Sequence, residues 1–99
     1  MRRPDIHQIL VEVGCHRHLA PPPGMGWGRE FRRGDVVALL QVANTTLPRC
    51  GGVVAREVRI IRDLLAGVII RTDVRGGAIW GGDRDMLRGC AVDLGMLIG

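Results

Sequence analysis

Glycine interrupts this chain so often that only a few segments are long enough to hold regular structure. Those segments must also close around an interior almost without aromatic rings. Fifteen glycines stand among ninety-nine residues, and each one inside a helix or strand costs roughly 0.5 to 1 kcal/mol relative to alanine. Trp27, Phe31 and Trp80 are the whole aromatic complement, so core energy has to come from Val, Ile and Leu. A chain of this length hides only about 60 to 70% of the surface its unfolded form exposes. One core of modest stability is expected, in a single domain over residues 1–99.

The segments between glycines read as follows. Ile6, Ile9, Leu10 and Val13 fall at helical spacing ahead of Gly14, which suits a short amphipathic helix. Residues 15–28 hold three consecutive prolines and spaced glycines and read as a loop or linker. In EFRRGDVVALLQVA (30–43) the apolar run suits a central strand near 35–43, buried on both faces and closed by Asn44-Thr45-Thr46. VVAREVRIIRDLLA (53–66) is ambiguous: Val54, Val58, Ile61 and Leu65 sit at helical spacing, yet five β-branched residues favour strand. Helix is slightly preferred there. After Gly67, VIIRT and Ala78-Ile79-Trp80 read as a hairpin about Arg75-Gly76-Gly77, Asp83 as the cap of a short turn through Leu87, and 91–98 as an edge strand or tail. The expected fold is α+β, a small domain of short strands with one or two short helices.

Composition restricts the function classes. Lysine, serine and tyrosine are absent, as a GC-rich coding strand would produce, and as translation of a frame never selected to encode protein would produce too. Net charge is +4, with arginine as the only basic residue besides three histidines. Seven arginines face four acids in residues 1–50 and seven face six in 51–99. Such a balance permits phosphate partners without demanding them. Cys15, Cys50 and Cys90 are an odd number, and Met1-Arg2-Arg3 is not followed by the apolar stretch of a secretory leader, so reduced thiols and a cytoplasmic location are expected. No apolar run approaches the roughly 20 residues of a spanning helix, so no membrane partner is expected.

Several motifs invite chemical readings. GCHRHLAPPPGMGWG (14–28) places Cys15, His16 and His18 where a zinc ion could find three ligands, with Cys50 or Cys90 as a fourth. Adjacent side chains in an extended loop point apart, which favours a solvated loop and no cofactor. The glycines of GMGWG lack the preceding strand and the following basic-hydroxyl pair of a phosphate loop. Asp83 and Asp85 are too close in sequence to serve as an acid-base pair across a cleft, and no enzyme activity is expected. Arg33-Gly34-Asp35 and the sequon Asn44-Thr45-Thr46 are chance matches that matter only outside the cell.

The stretch VRIIRDLLAGVIIRTDVR (58–75) resembles the Arg-Asp-Leu, Ala-Gly, Ile and Asp run of SAF domains, small β-clip modules. It covers under a fifth of the chain and departs from the pattern near Asp73. The resemblance implies strand and turn over 53–66 and a binding accessory without catalysis.

The strongest functional argument concerns arginine. Arg29, Arg32 and Arg33 form one cluster, and Arg56, Arg59 and Arg62 form a stripe if 53–66 is helical. Together they could neutralise phosphates, with Trp27 and Phe31 as stacking surfaces for unpaired bases of RNA or DNA. The competing reading is a solvated helix face with Glu57 and Asp63 interspersed. The leading expectation is therefore a small basic protein with no identifiable biochemical activity. An arginine-dependent nucleic-acid-binding accessory protein comes next, and a zinc-stabilised protein-interaction module third. Self-association through the apolar strand at 36–42 is a further expectation.

Overall fold

The computed structural model describes residues 30–98, and helix accounts for 84% of them. Helix α1 spans Arg33–Thr46, a 3-10 turn Leu47–Arg49 follows, α2 spans Gly52–Val74, and α3 spans Gly81–Ile98. No strand occurs among the described residues, so the expected α+β fold is replaced by an all-helical one.

Each boundary has a local cause. At the start of α1 the Asp35 carboxylate accepts the Arg32 backbone N–H at 2.8 Å, and the Asp35 N–H donates to the Arg32 carbonyl at 2.9 Å. Arginine has no acceptor, so only this half of a capping box forms. Pro48 has no N–H with which to extend α1, and the chain tightens into the 3-10 turn. Helix α2 ends where Gly77 N–H donates to the Thr72 carbonyl at 2.9 Å and Gly76 N–H to the Asp73 carbonyl at 3.2 Å. With φ of 75° at Gly76 and 98° at Gly77, this is a Schellman closure that needs glycine at the first left-handed position.

Burial then explains why the strands do not form. Helix α2 buries Ala55, Val58, Ile61, Leu65, Val68 and Thr72, a seam in steps of three and four along one face of a helix. Helix α1 brings Val36, Leu39 and Ala43 to it, and α3 brings Leu87, Ala91 and Leu94. Fully burying a Val, Leu or Ile is worth about 1.5 to 3 kcal/mol, whereas strand propensities span only about 1 kcal/mol and change with context. A seam of several such residues therefore overrides the β-branched bias.

The corrections follow from that comparison. The run at 35–43 lies within α1, with Val36 and Leu39 inside and Leu40 and Val42 only partly covered. The slight preference for helix over 53–66 agrees with the structure, but Gly67 does not end that helix. Its cost of about 1 kcal/mol is offset by burying Val68 one residue later. VIIRT therefore belongs to α2 and not to a hairpin, residues 78–80 form the passage into α3, and 91–98 complete α3. The short helices expected are instead 14, 23 and 18 residues long. The strand and turn implied by the SAF resemblance fall inside α2 as well.

Among the described residues Phe31 is the one aromatic member of the core, whose other members are aliphatic apart from Cys90. The three helices share that one core, with α2 between the other two. Arg33 at the start of α1 meets Asp73 near the end of α2 at 2.7 Å, and Arg71 of α2 meets Asp83 in the first turn of α3 at 2.9 Å. The first contact sets α1 antiparallel to α2, and Glu57 near the start of α2 lines one cleft with Met96 and Leu97 at the end of α3, which sets α3 antiparallel to α2 as well. The proposed amphipathic helix over residues 6–13 and the linker at 15–28 lie outside the described residues.

Candidate nucleic-acid interface

The arginines divide into two populations along α2. At its C-terminal end they are engaged within the chain. Arg33 donates Nε and Nη2 to Asp73 at 2.7 and 3.3 Å, and Arg71 donates Nε and Nη2 to Asp83 at 3.0 and 2.9 Å. Arg84 donates to Glu30 at 2.9 Å, and the Arg75 guanidinium sits 5.4 Å from the centroid of the Trp80 ring. The hydrogen bond from Arg33 holds the Asp73 carboxyl below the usual carboxylate range, and the same bonds raise the already high pKa of Arg33 and, through Asp83, of Arg71.

At the N-terminal end of α2 the situation reverses. Arg49, Arg56 and Arg59 are exposed and make no ion pair among the described residues. Arg62, half-buried, is paired among the described residues with its chain neighbour Asp63, at 3.3 Å. Arg56, Arg59 and Arg62 do lie on one helix, as their three-residue spacing requires, and span about 9 Å of its axis while drifting around it.

The two clusters expected to act together stand apart. Asp73, which holds Arg33, is eleven residues beyond Arg62 on α2, about 16 Å along the axis. Arg32 is exposed at the entrance to α1, at the same end as Arg33. Phe31 is buried, so its ring offers no face to a base. Trp27 and Arg29 lie outside the described residues. Trp80, which sequence reasoning treated as a strand residue, is half-exposed. Its position between two glycine pairs marks a turn in which a large ring has nowhere to be buried, and Arg75 occupies one of its faces.

The metal candidates Cys15, His16 and His18 also lie outside the described residues. Among the described ones no group of three or more His, Cys, Asp or Glu is arranged to hold an ion. The half-buried Cys50 donates its thiol to the Thr46 carbonyl at 3.3 Å. Cys90 is buried, and desolvation with the nearby Asp93 charge raises its thiol pKa. Asp83 and Asp85 part company: Asp83 turns inward to Arg71 while Asp85 is exposed. An open cleft of about 400 Å³ is lined by Glu30, Phe31, Arg84, Asp85 and Arg88. Its walls mix both signs of charge and converge on no single anion. None of the described helices is long and apolar enough to cross a membrane. No family model, curated protein or solved structure matches this chain.

Proposed function

We propose that this chain is a non-catalytic protein that binds the phosphate backbone of nucleic acid through Arg49, Arg56 and Arg59, with Arg62 at the margin. One observation carries the proposal. The arginines at one end of α2 are paired with Asp73, Asp83 and Glu30, while Arg49, Arg56 and Arg59 at the other end have no ion-pair partner among the described residues. The net charge of +4 favours the same encounter. The expected contacts are to phosphates and not to stacked bases, because among the described aromatic residues Phe31 is inside and Arg75 already covers a face of Trp80.

Three phosphate contacts give a log–log salt slope of about −2 on single strands and about −3 on duplex. Affinity for an oligonucleotide should then fall roughly 20- to 40-fold between 50 and 200 mM salt. Fluorescence anisotropy on the full chain measures this, beside a variant carrying Arg49→Gln, Arg56→Gln and Arg59→Gln. The variant should keep its helical circular dichroism and lose the salt-dependent binding. Absence of binding at low salt, or binding that ignores salt, overturns the proposal and returns the chain to one with no identifiable activity.

A further inference from the structure

The large apolar side chains left exposed are concentrated on one element. Val53, Ile60, Leu64, Ile70 and Val74 all belong to α2, with only Trp80 and Met96 elsewhere among the described residues. They do not belong to the seam that α1 and α3 cover, which runs through Val58, Ile61, Leu65 and Val68. At 100° per residue, Val53, Ile60 and Leu64 fall on the flank of the helix, roughly 90 to 130° round from the middle of that seam, and Val74 lies farther round still. Met96 of α3 stands beside Glu57, where both line one cleft, and widens this second face.

The face has an order. Alternating steps of four and three from Val53 give Val53, Glu57, Ile60, Leu64, Gly67, Arg71 and Val74, the 3.5-residue repeat of helices that pack along their length. Read backwards, this series meets its own complement: valine on valine, glutamate on arginine, isoleucine on glycine, leucine on leucine. Two copies of α2 laid antiparallel about a two-fold axis near Leu64 bring every one of these pairs level to within about 1 Å, at 1.5 Å of rise per residue. A parallel pair would instead set Glu57 on Glu57 and Arg71 on Arg71, which like charges oppose.

Arg71 is equipped for the second contact. Its bonds to Asp83 use Nε and Nη2 and leave Nη1, which lies 3.3 Å from the point a Cβ on Gly67 would occupy. That guanidinium edge is therefore on the outer face, within the stripe. The Asp63 carboxylates approach the axis as the one like-charged pair, and each carries Arg62 at 3.3 Å.

We propose that the outer face of α2 is the interface of an antiparallel, two-fold symmetric dimer of this chain. Such an interface is self-complementary, so that each contact occurs twice.

Sedimentation velocity on the full chain across a dilution series should show a monomer passing to twice its mass as concentration rises. Leu64→Glu places two carboxylates at the axis and should weaken the dimer about 100-fold or more. Leu64 is 40% exposed in the single copy, so the variant also loses some packing within the protomer, and thermal unfolding of the diluted variant measures that loss apart from the loss of the dimer. Should the variant fail to fold, nuclear Overhauser contacts in a mixture of isotope-labelled and unlabelled parent chains decide the matter. Contacts from Val53 of one copy to Val74 of the other, and from Leu64 to Leu64, support the arrangement. Contacts of Val53 with Val53 overturn it, as does a monomer at every concentration. Contacts from Ile6 or Ile9 to Leu64 within one chain also overturn it, because residues 1–29 would then cover the face. No nucleic acid enters these measurements, so their outcome is separate from that of phosphate binding.

Discussion

Thr72 lies 1% exposed in the seam of α2, and among the described residues its hydroxyl has no hydrogen-bond partner. A buried polar group in that state costs free energy that a matched apolar shape does not. Thr72→Val keeps the β-branched outline and removes the unpaired oxygen. It should stabilise the fold by about 1 kcal/mol, which for a domain of this size raises the thermal midpoint by roughly 4 to 8 °C. Calorimetry checks this, and an unchanged or lower midpoint would mean that the hydroxyl is satisfied in solution. At this scale the sequence was partly legible. Val36, Leu39, Val58 and Leu65 are apolar and go inside as apolar residues do. The role of Asp83 was not legible. Read along the chain it resembles a helix cap, and only the arrival of Arg71 from the preceding helix turns its carboxylate inward.

The three helices show how glycine acts at the level of an element. Gly76 closes α2 at φ 75°, a conformation that costs a residue with a Cβ about 1 to 2 kcal/mol. Gly89 sits within α3, exposed, with no atom within 4 Å of the place a Cβ would take. Gly76→Ala should therefore destabilise by about 1 kcal/mol, while Gly89→Ala should stabilise by about 0.5 to 1 kcal/mol through helix propensity. Urea titrations of the two variants compare them directly, and equal signs would contradict the assignment of one to a closure and the other to a helix interior. Helix positions were legible where spacing spoke alone, as at Val58, Ile61 and Leu65. They were lost where a continuous apolar run, such as 36–40, fits a buried strand as well as one face of a helix. Gly67 misled for a related reason. A single glycine stops a helix only when nothing beyond it is worth burying, and Val68 is buried completely.

For the whole molecule, the clasp between Arg33 and Asp73 joins the first helix to the far end of the second. Its effect on stability has a definite sign. The Asp73 carboxyl in the folded chain lies below its ordinary value, so the clasp contributes fully above about pH 4, the usual range of an unfolded aspartate. The contribution is lost as pH falls through the lower folded value. Asp73→Asn should flatten that acid limb slightly and lower stability at neutral pH by the same small amount, small because the pair is exposed and screened. Denaturation followed from pH 6 to pH 2 tests it, and an acid limb of unchanged steepness would assign the sensitivity to other carboxylates.

By itself the sequence determined that one interior had to be built almost wholly from aliphatic side chains, and its spacing leaned slightly toward a helix carrying Arg56, Arg59 and Arg62; that Phe31 would go inside instead of facing a base was decided by packing. Only the tertiary structure decided that every described element would be helical and which arginines would remain free. Those outcomes depend on which side chains meet across helices: Asp73 and Asp83 reach Arg33 and Arg71, but the described residues bring no acid to Arg49, Arg56 or Arg59. Spacing along a chain specifies the face a residue occupies, and only packing specifies what that face will touch.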